Sequence, residues 1–363
     1  MTVAVPSQDN DQALVTDGRY VRDMTDGQTD SLAPVGLKPL RYGRPRFTGV
    51  VDANVLLSSI ANGCSTGWRS RLLRMTDEDH AVLYAADHVF GEVYEHLSKF
   101  VGRDGTPSVE ELRQLFEEEY LAILRFVTVT PDDGAAEALG VTDPDDVPTA
   151  QLAELLGVSV VFSDDRHLRD PGFAPKDWQV AARGAIELID CEREKIALGM
   201  AVYLPARAAV WAVQASARRL SVTPWIPAAA LLAGAVLVMR APARRRTVGE
   251  ALGTIGRAFA EQLARIEADE HLAMAILQEA MYVASGDSLR HQLASVLAVQ
   301  LEPVAEDEVL SLLIAAYPGA DTPNVEDVRV ELVAGSEFVE GEPFCWQLGR
   351  AVDPPDGSFE VMP

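Results

Sequence analysis

Between about residues 46 and 190, short β-rich apolar runs alternate with longer stretches whose apolar residues recur every three or four positions. In Phe47–Ser58 (FTGVVDANVLLS), the four residues Thr48–Val51 lead into Asp52, and a further apolar run, Val55–Leu57, follows. This reads as a buried strand with a carboxylate at its C-terminal edge. Gly67–Met75 fits a helix and His80–Ala86 a strand. Across His88–Phe100, the residues Val89, Val93, Leu97 and Phe100 share one helical face, with Glu92 and Glu95 on flanking faces. Val109–Phe126 reads as a helix and Phe126–Thr130 as a short strand. Pro144–Gly157 (PDDVPTAQLAELLG) has acids and Pro148 at its start, three leucines inside and a glycine stop, the punctuation of a helix. Val158–Asp165 (VSVVFSDD) repeats the first pattern, a β-branched and aromatic run ending in Asp164 and Asp165. Gln179–Ala182 predicts a last strand, and Ile186–Ile189 the start of a helix. Such alternation predicts an α/β domain over 46–190, a parallel sheet flanked by helices on both faces.

The remaining pattern divides differently. Residues 1–45 carry Asp, Gly, Pro, Gln and Thr without periodicity and read as a disordered leader, as does the tail 353–363. From Lys195 to Gly249 there is no Asp or Glu, although seven arginines fall in that span. Within the apolar pair at 191–249, Trp225–Met239 is uncharged, with Trp at one end and RAPARRR after it. Tryptophan and arginine in those places resemble membrane anchors and a stop-transfer signal. Fifteen residues are short for a span of about 20. Two readings stay open for 196–240: a membrane hairpin facing the cytoplasm, or a buried helical pair. Val248–Gln300 is helical in character, with Leu252, Ile255, Phe259, Leu263 and Ile266 at spacings of three and four, so 250–302 reads as a helical connector. Over 303–352, helices at Glu306–Tyr317 and Asn324–Val333 and a hairpin at Phe338–Leu348 follow the order of a winged-helix-like module. Its second helix is acidic where a DNA reader presents Arg and Lys, which favours protein contact or packing.

Composition narrows the function. A net charge of -24 argues against passive nucleic-acid binding over a broad basic surface. It leaves room for an enzyme whose positive charge comes from metal ions. Three cysteines, Cys64, Cys191 and Cys345, are widely separated and imply neither a disulfide framework nor a zinc knuckle. The N-terminal residues lack a basic and apolar signal pattern, and a cytoplasmic location is expected.

Four acids stand out: Asp52, Glu92, Asp146 and Asp165. Singly, each has a bland explanation as a helix cap, a turn residue or a solvated side chain. As a set, two strand-end acids, one helix-start acid and one acid early in a helix can face the same sheet edge. Carboxylates clustered without lysine or arginine repel one another unless a cation sits among them. Mg²⁺ or Mn²⁺, hard ions that prefer oxygen ligands, are the usual resolution, and the chemistry implied is metal-assisted phosphodiester hydrolysis.

VVDANVLLS, the Glu92 helix, DPDDVPTAQLAELLG and VVFSDDRHL together resemble the four acidic motifs of the PIN-domain nucleases. The resemblance implies that Asp52, Glu92, Asp146 and Asp165 are the metal-binding acids, with Asn54, Ser163 and Asp164 in support. It also implies Mg²⁺- or Mn²⁺-dependent endoribonuclease action on single-stranded RNA, often as the toxin of a toxin–antitoxin pair and often as a homodimer. Expected partners are therefore RNA, a second copy, an antitoxin-like or regulatory protein, and a membrane through 196–240. Asp145 and Asp164 duplicate the matched acids and leave a one-residue ambiguity at two positions. The long C-terminal extension departs from the small toxins. It keeps a second reading in view, a catalytically silent PIN-like interaction module acting through its C-terminal regions.

Overall fold

The computed structural model describes residues 38–39, 45–101, 107–131, 133–220, 242–318 and 323–352. The expected leader (save a few residues), the uncharged run Trp225–Met239 and the tail 353–363 lie outside the described residues. The first unit runs β1 (Lys38–Pro39), β2 (Pro45–Val51), α1 (Ala53–Thr66), α2 (Arg71–Met75), β3 (Ala81–Ala86) and α3 (Asp87–His96). It continues through α4 (Val109–Leu115), β4 (Leu124–Val127), α5 (Ala135–Leu139), α6 (Val147–Leu156), β5 (Val158–Phe162) and α7 (Arg166–Arg169). Two long helices follow, α8 (Trp178–Leu220) and α9 (Pro242–Ala280), then β6 (Tyr282–Val283) and α10 (Leu289–Leu297). The chain ends with β7 (Val304–Ala305), α11 (Glu306–Ala316), α12 (Val325–Ala334), β8 (Phe338–Glu342) and β9 (Cys345–Leu348).

The main sheet has the order β4-β3-β2-β5-β6, with β1 added antiparallel to β2. β2 pairs in parallel with both β3 and β5, β3 pairs in parallel with β4, and β6 runs antiparallel to β5. Strand order therefore steps outward from β2 to β4 and then returns to β2's other side. That reversal is a topological switch point, which opens a crevice at the carboxyl ends of β2 and β5.

Because successive strand residues point to opposite faces, each strand feeds two cores. Val51, Leu83 and Phe162 join one core with α1, α3 and α4, where Ala182 and Ile186 of α8 and Ala273 and Leu277 of α9 also pack. Val50, Val82, Tyr84 and Val161 join the other with α6, and there the C-terminal region supplies Leu293, Val296, Leu313, Val328, Trp346 and Leu348. Polar ties accompany this burial. The Tyr84 hydroxyl donates to Ala298 O at 3.0 Å, and the Arg125 guanidinium donates to the carbonyls of Gln300 and Leu301. Glu154 of α6 accepts from the hydroxyls of Tyr282 and Ser285 and from the backbone N–H groups of Ser285 and Gly286. Both sheet faces are thus closed, and the carboxyl edge remains for chemistry.

Several sequence expectations are corrected. Gln179–Ala182 is not a strand: it lies in the first turns of α8, where Ala181, Ala182, Ala185, Ile186 and Ile189 make a buried stripe of helical period. Val109–Phe126 is not one helix, because α4 passes into a π-helical turn at Phe116–Tyr120 and Leu124 already belongs to β4. Val248–Gln300 is broken after Ala280 by β6 and a loop before α10. From α10 onward the order is helix, strand, helix, helix, hairpin, and the small sheet is ordered β7-β9-β8. Among the described residues no helix is long and apolar enough to cross a membrane.

Gly49, at the centre of β2, shows how tightly the strands are sandwiched. A Cβ there would lie 2.5 Å from Phe162 and 2.8 Å from Leu83. Gly49→Ala is expected to cost about 1–3 kcal/mol through overpacking. Chemical denaturation would check this, and an unchanged midpoint would contradict the packing described.

Candidate active site at the carboxyl edge of the sheet

Asp52 follows β2 directly and is the N-cap of α1, its Oδ1 accepting from Ala53 N at 2.7 Å. Its other oxygen, Oδ2, accepts from the Ser163 hydroxyl at 2.5 Å and from Asn54 Nδ2 at 2.7 Å. Ser163 follows β5 and is itself buried, and its Oγ accepts from Asp165 N at 3.0 Å. The two strand ends flanking the switch point are therefore stitched together through one serine. Asp165 is the N-cap of α7 and accepts from His167 N at 2.8 Å. The capping role that each acid could have played on its own is real for Asp52 and Asp165, and it fixes the direction of their second oxygens.

Asp146 differs. It stands at the N-cap position of α6 yet makes no side-chain capping bond, and its Oδ2 is buried without a hydrogen-bond partner. Glu92 enters from α3, which begins immediately after β3, and is half-buried.

Electrostatics show which acids share space. Burial pushes the Asp52 carboxyl up to about 6, against the pull of Ser163 and Ala53, and the charges of Glu92 and Asp165 push it further up. Burial likewise raises Asp146 to about 7, helped by Asp52, Asp165, Asp143 and Glu92. Glu92 is raised by burial, with His96 and Lys99 opposing and Asp145 and Glu95 assisting. None of the strongest influences on Asp52 or Asp146 is a cation. The carboxylates that bear on Asp52 and Asp146 include Asp165, while Asp164 is exposed and touches the site only through its N–H to Asn54 Oδ1 at 3.4 Å. Asp145 bears on Glu92 and His88.

The four acids thus occupy one electrostatic neighbourhood, but they do not form a closed shell. Among the described residues no three His, Cys, Asp or Glu groups converge closely enough to hold an ion as they stand. The mutual charge effects put the four acids within electrostatic range of one another, and like-charged carboxylates repel unless a cation sits among them. The donor set is entirely oxygen, which suits a hard divalent cation rather than zinc or copper. A groove of about 790 Å³ lies elsewhere, beside Cys64, Trp68, Leu115 and Tyr120, and none of the four acids lines it.

Sequence reading passed over Asp143, whose side chain caps the turn before Asp146, and Thr128 and Asp87, which hydrogen-bond to each other beside the site. The acid run of DPDD carries the signal for Asp143; nothing local marks the Thr128–Asp87 pair.

Both upward shifts mean that the folded, metal-free protein holds protons which the unfolded chain releases near 4. The associated stability is complete below that value and is lost as pH rises through about 6 and 7. For Asp52, the rise from the ordinary carboxylate range to about 6 corresponds to an ionisation cost on the order of 3 kcal/mol. In EDTA, Asp146→Asn should therefore raise the thermal midpoint relative to the parent more at about pH 8 than at about pH 5. An equal effect at both pH values would show that Asp146 is not held in a repulsive site.

Residues 50–182 match the PIN domain family. No curated protein and no solved structure matches the chain. A parallel sheet with a carboxyl-edge site, carrying acids at the ends of its central strands and matching this family across the same residues, makes 50–182 a PIN domain, a nuclease-type unit carried on a longer chain.

Proposed function

We propose that the chain is a metal-dependent endoribonuclease that hydrolyses phosphodiester bonds of single-stranded RNA at the edge bearing Asp52, Glu92, Asp146 and Asp165. The observation that carries this reading is the Asp146 carboxylate, buried on one oxygen without a donor and raised to about 7 amid other acids. Burying a carboxylate with neither hydrogen bond nor counter-ion is costly, so an evolved site of this kind calls for a cation.

Mg²⁺ or Mn²⁺, when bound, would lower the pKa of a water and neutralise charge building on the phosphate. The rest is the work of this chain's residues. Asp52, Asp146 and Asp165 would hold the ion, with Glu92 contributed from α3. Ser163 and Asn54 both donate to Asp52 Oδ2 and hold that oxygen in place, so the lone pair left for an ion is the one on Oδ1 beside the Ala53 N–H. Conserving that orientation matters because a misdirected ligand loses affinity, typically 10–100-fold for the outer partners of metal sites. Asp165 is tied by its backbone N–H to the same Ser163 hydroxyl that donates to Asp52.

A catalytically silent interaction module is the second reading, favoured by the open spacing of the acids. The acidic helix α12 fits a packing or protein-contact role for a winged-helix-like C-terminal module, not DNA reading. Toxin-like activity, pairing with a second copy or a regulatory protein, and cytoplasmic membrane association through 196–240 belong to the ribonuclease proposal.

Purified protein should cut a mixed-sequence single-stranded RNA with Mn²⁺ or Mg²⁺ and stop in EDTA. Asp52→Asn should lose more than about 100-fold in activity, and Ser163→Ala about 10–100-fold, as expected for an outer partner. Metal-dependent products that persist undiminished in Asp52→Asn would refute this site, and no cleavage under any metal would favour the interaction module.

A further inference from the structure

The C-terminal region does more than cover a sheet face: it places a cation on the rim of the acidic edge. β9 ends at Leu348, and Gly349 follows at φ 66°, its N–H donating to Glu337 O at 2.9 Å. A Cβ at Gly349 would lie 2.8 Å from Phe126 O, so only glycine lets the chain pass this close to β4. Arg350 then makes a two-way backbone pair with Phe126, each N–H donating to the other's carbonyl at 2.8 Å. The Ser336 hydroxyl adds a bond to Thr128 O at 3.3 Å. The backbone of Arg350 is thereby fixed at the carboxyl end of β4.

Its side chain reaches back along that edge. Nη2 lies 3.7 Å from Asp87 Oδ2, and the side chain remains 58 % exposed. Asp87 is the first residue of α3, the helix that carries Glu92. Two strand positions separate β4 from β2 in the sheet order, which is about 10 Å at the usual strand spacing. An exposed ion pair at this distance contributes little, about 0–1 kcal/mol, so a stronger anion can draw the guanidinium away. The guanidinium presents five donors in a planar fork suited to a phosphate, and one contact to Asp87 leaves most of them open.

We propose that Arg350 is a substrate-positioning residue, which binds an RNA backbone phosphate flanking the scissile bond. The inference rests on the ribonuclease reading above and extends it. A chain of net charge -24 whose active edge is lined with carboxylates repels its own substrate. A cation whose backbone is fixed at the rim and whose guanidinium is free to leave Asp87 would orient the strand across that edge, and it comes from a part of the chain more than two hundred residues from Asp52.

The test is steady-state cleavage of a single-stranded RNA by the full chain and by Arg350→Ala and Arg350→Lys across a KCl series. Anisotropy of the labelled RNA in EDTA, where cleavage is off, supplies a second readout. Arg350→Ala should raise KM several-fold with kcat within about twofold, and should lower the salt slope of log affinity by about 0.7–1, the loss of one phosphate contact. Arg350→Lys should keep most of that slope. An unchanged KM and slope in Arg350→Ala, in a parent that cuts RNA, would reduce Arg350 to a partner of Asp87 and leave the nuclease reading standing. A fall in kcat at constant KM would also overturn the positioning role. A parent that neither binds nor cuts RNA overturns the nuclease reading and this inference together.

Discussion

Everything at the carboxyl edge depends on holding like charges close together, one of them wholly and the others partly out of water. Asp52 is buried, accepts three hydrogen bonds and still has its carboxyl pushed up to about 6. Hydrogen bonds favour its charged form, while desolvation and neighbouring acids oppose it. The fold must enforce such an arrangement, because the side chains would separate if free to do so. Enforcement comes from the parallel pairing of β2 with β5, which brings Val51 opposite Phe162 and so puts Asp52 beside Ser163. Asp52 N donates to Phe162 O at 3.1 Å, continuing the ladder into the site itself.

The sheet can serve as that clamp because both of its faces are sealed. One face is covered by α1, α3 and α4 with the lower parts of α8 and α9; the other is covered by α6, α10 and the C-terminal elements. Tyr84 illustrates the coupling, since it is fully buried in the sheet and its hydroxyl is answered by Ala298, 214 residues away. The C-terminal region is therefore part of the structural unit that carries the acids. A parallel sheet needs cover on both faces, and here the family-matched segment does not supply all of it.

Much of this was legible in the residues. The β-branched runs before Asp52 and Asp165 predict buried strands ending in acids, because such side chains pack well on a pleated surface flanked by helices. The proline and glycine punctuation around Val147–Leu156 predicts the helix that positions Asp146. The failures have physical reasons too. Gln179–Ala182 is a window of four residues, too short to separate a strand from the first turn of a helix whose period shows only when Ala185, Ile186 and Ile189 are included. β6 has two residues and carries no periodicity at all. The pairing of Arg350 with Phe126 depends on the tertiary approach of segments 224 residues apart, and Gly349 is its only local trace.

On the proposed function, Asp52, Asp146 and Asp165 hold a divalent cation at the carboxyl edge. Crystals soaked in Mn²⁺ and measured for anomalous scattering test it most directly. The expected result is a peak within coordination distance, about 2.0–2.3 Å, of oxygens from at least two of these acids, with the unpartnered Asp146 oxygen among the ligands. A protein that cleaves RNA in the same Mn²⁺ but shows its peak elsewhere, or none at this edge, would contradict it.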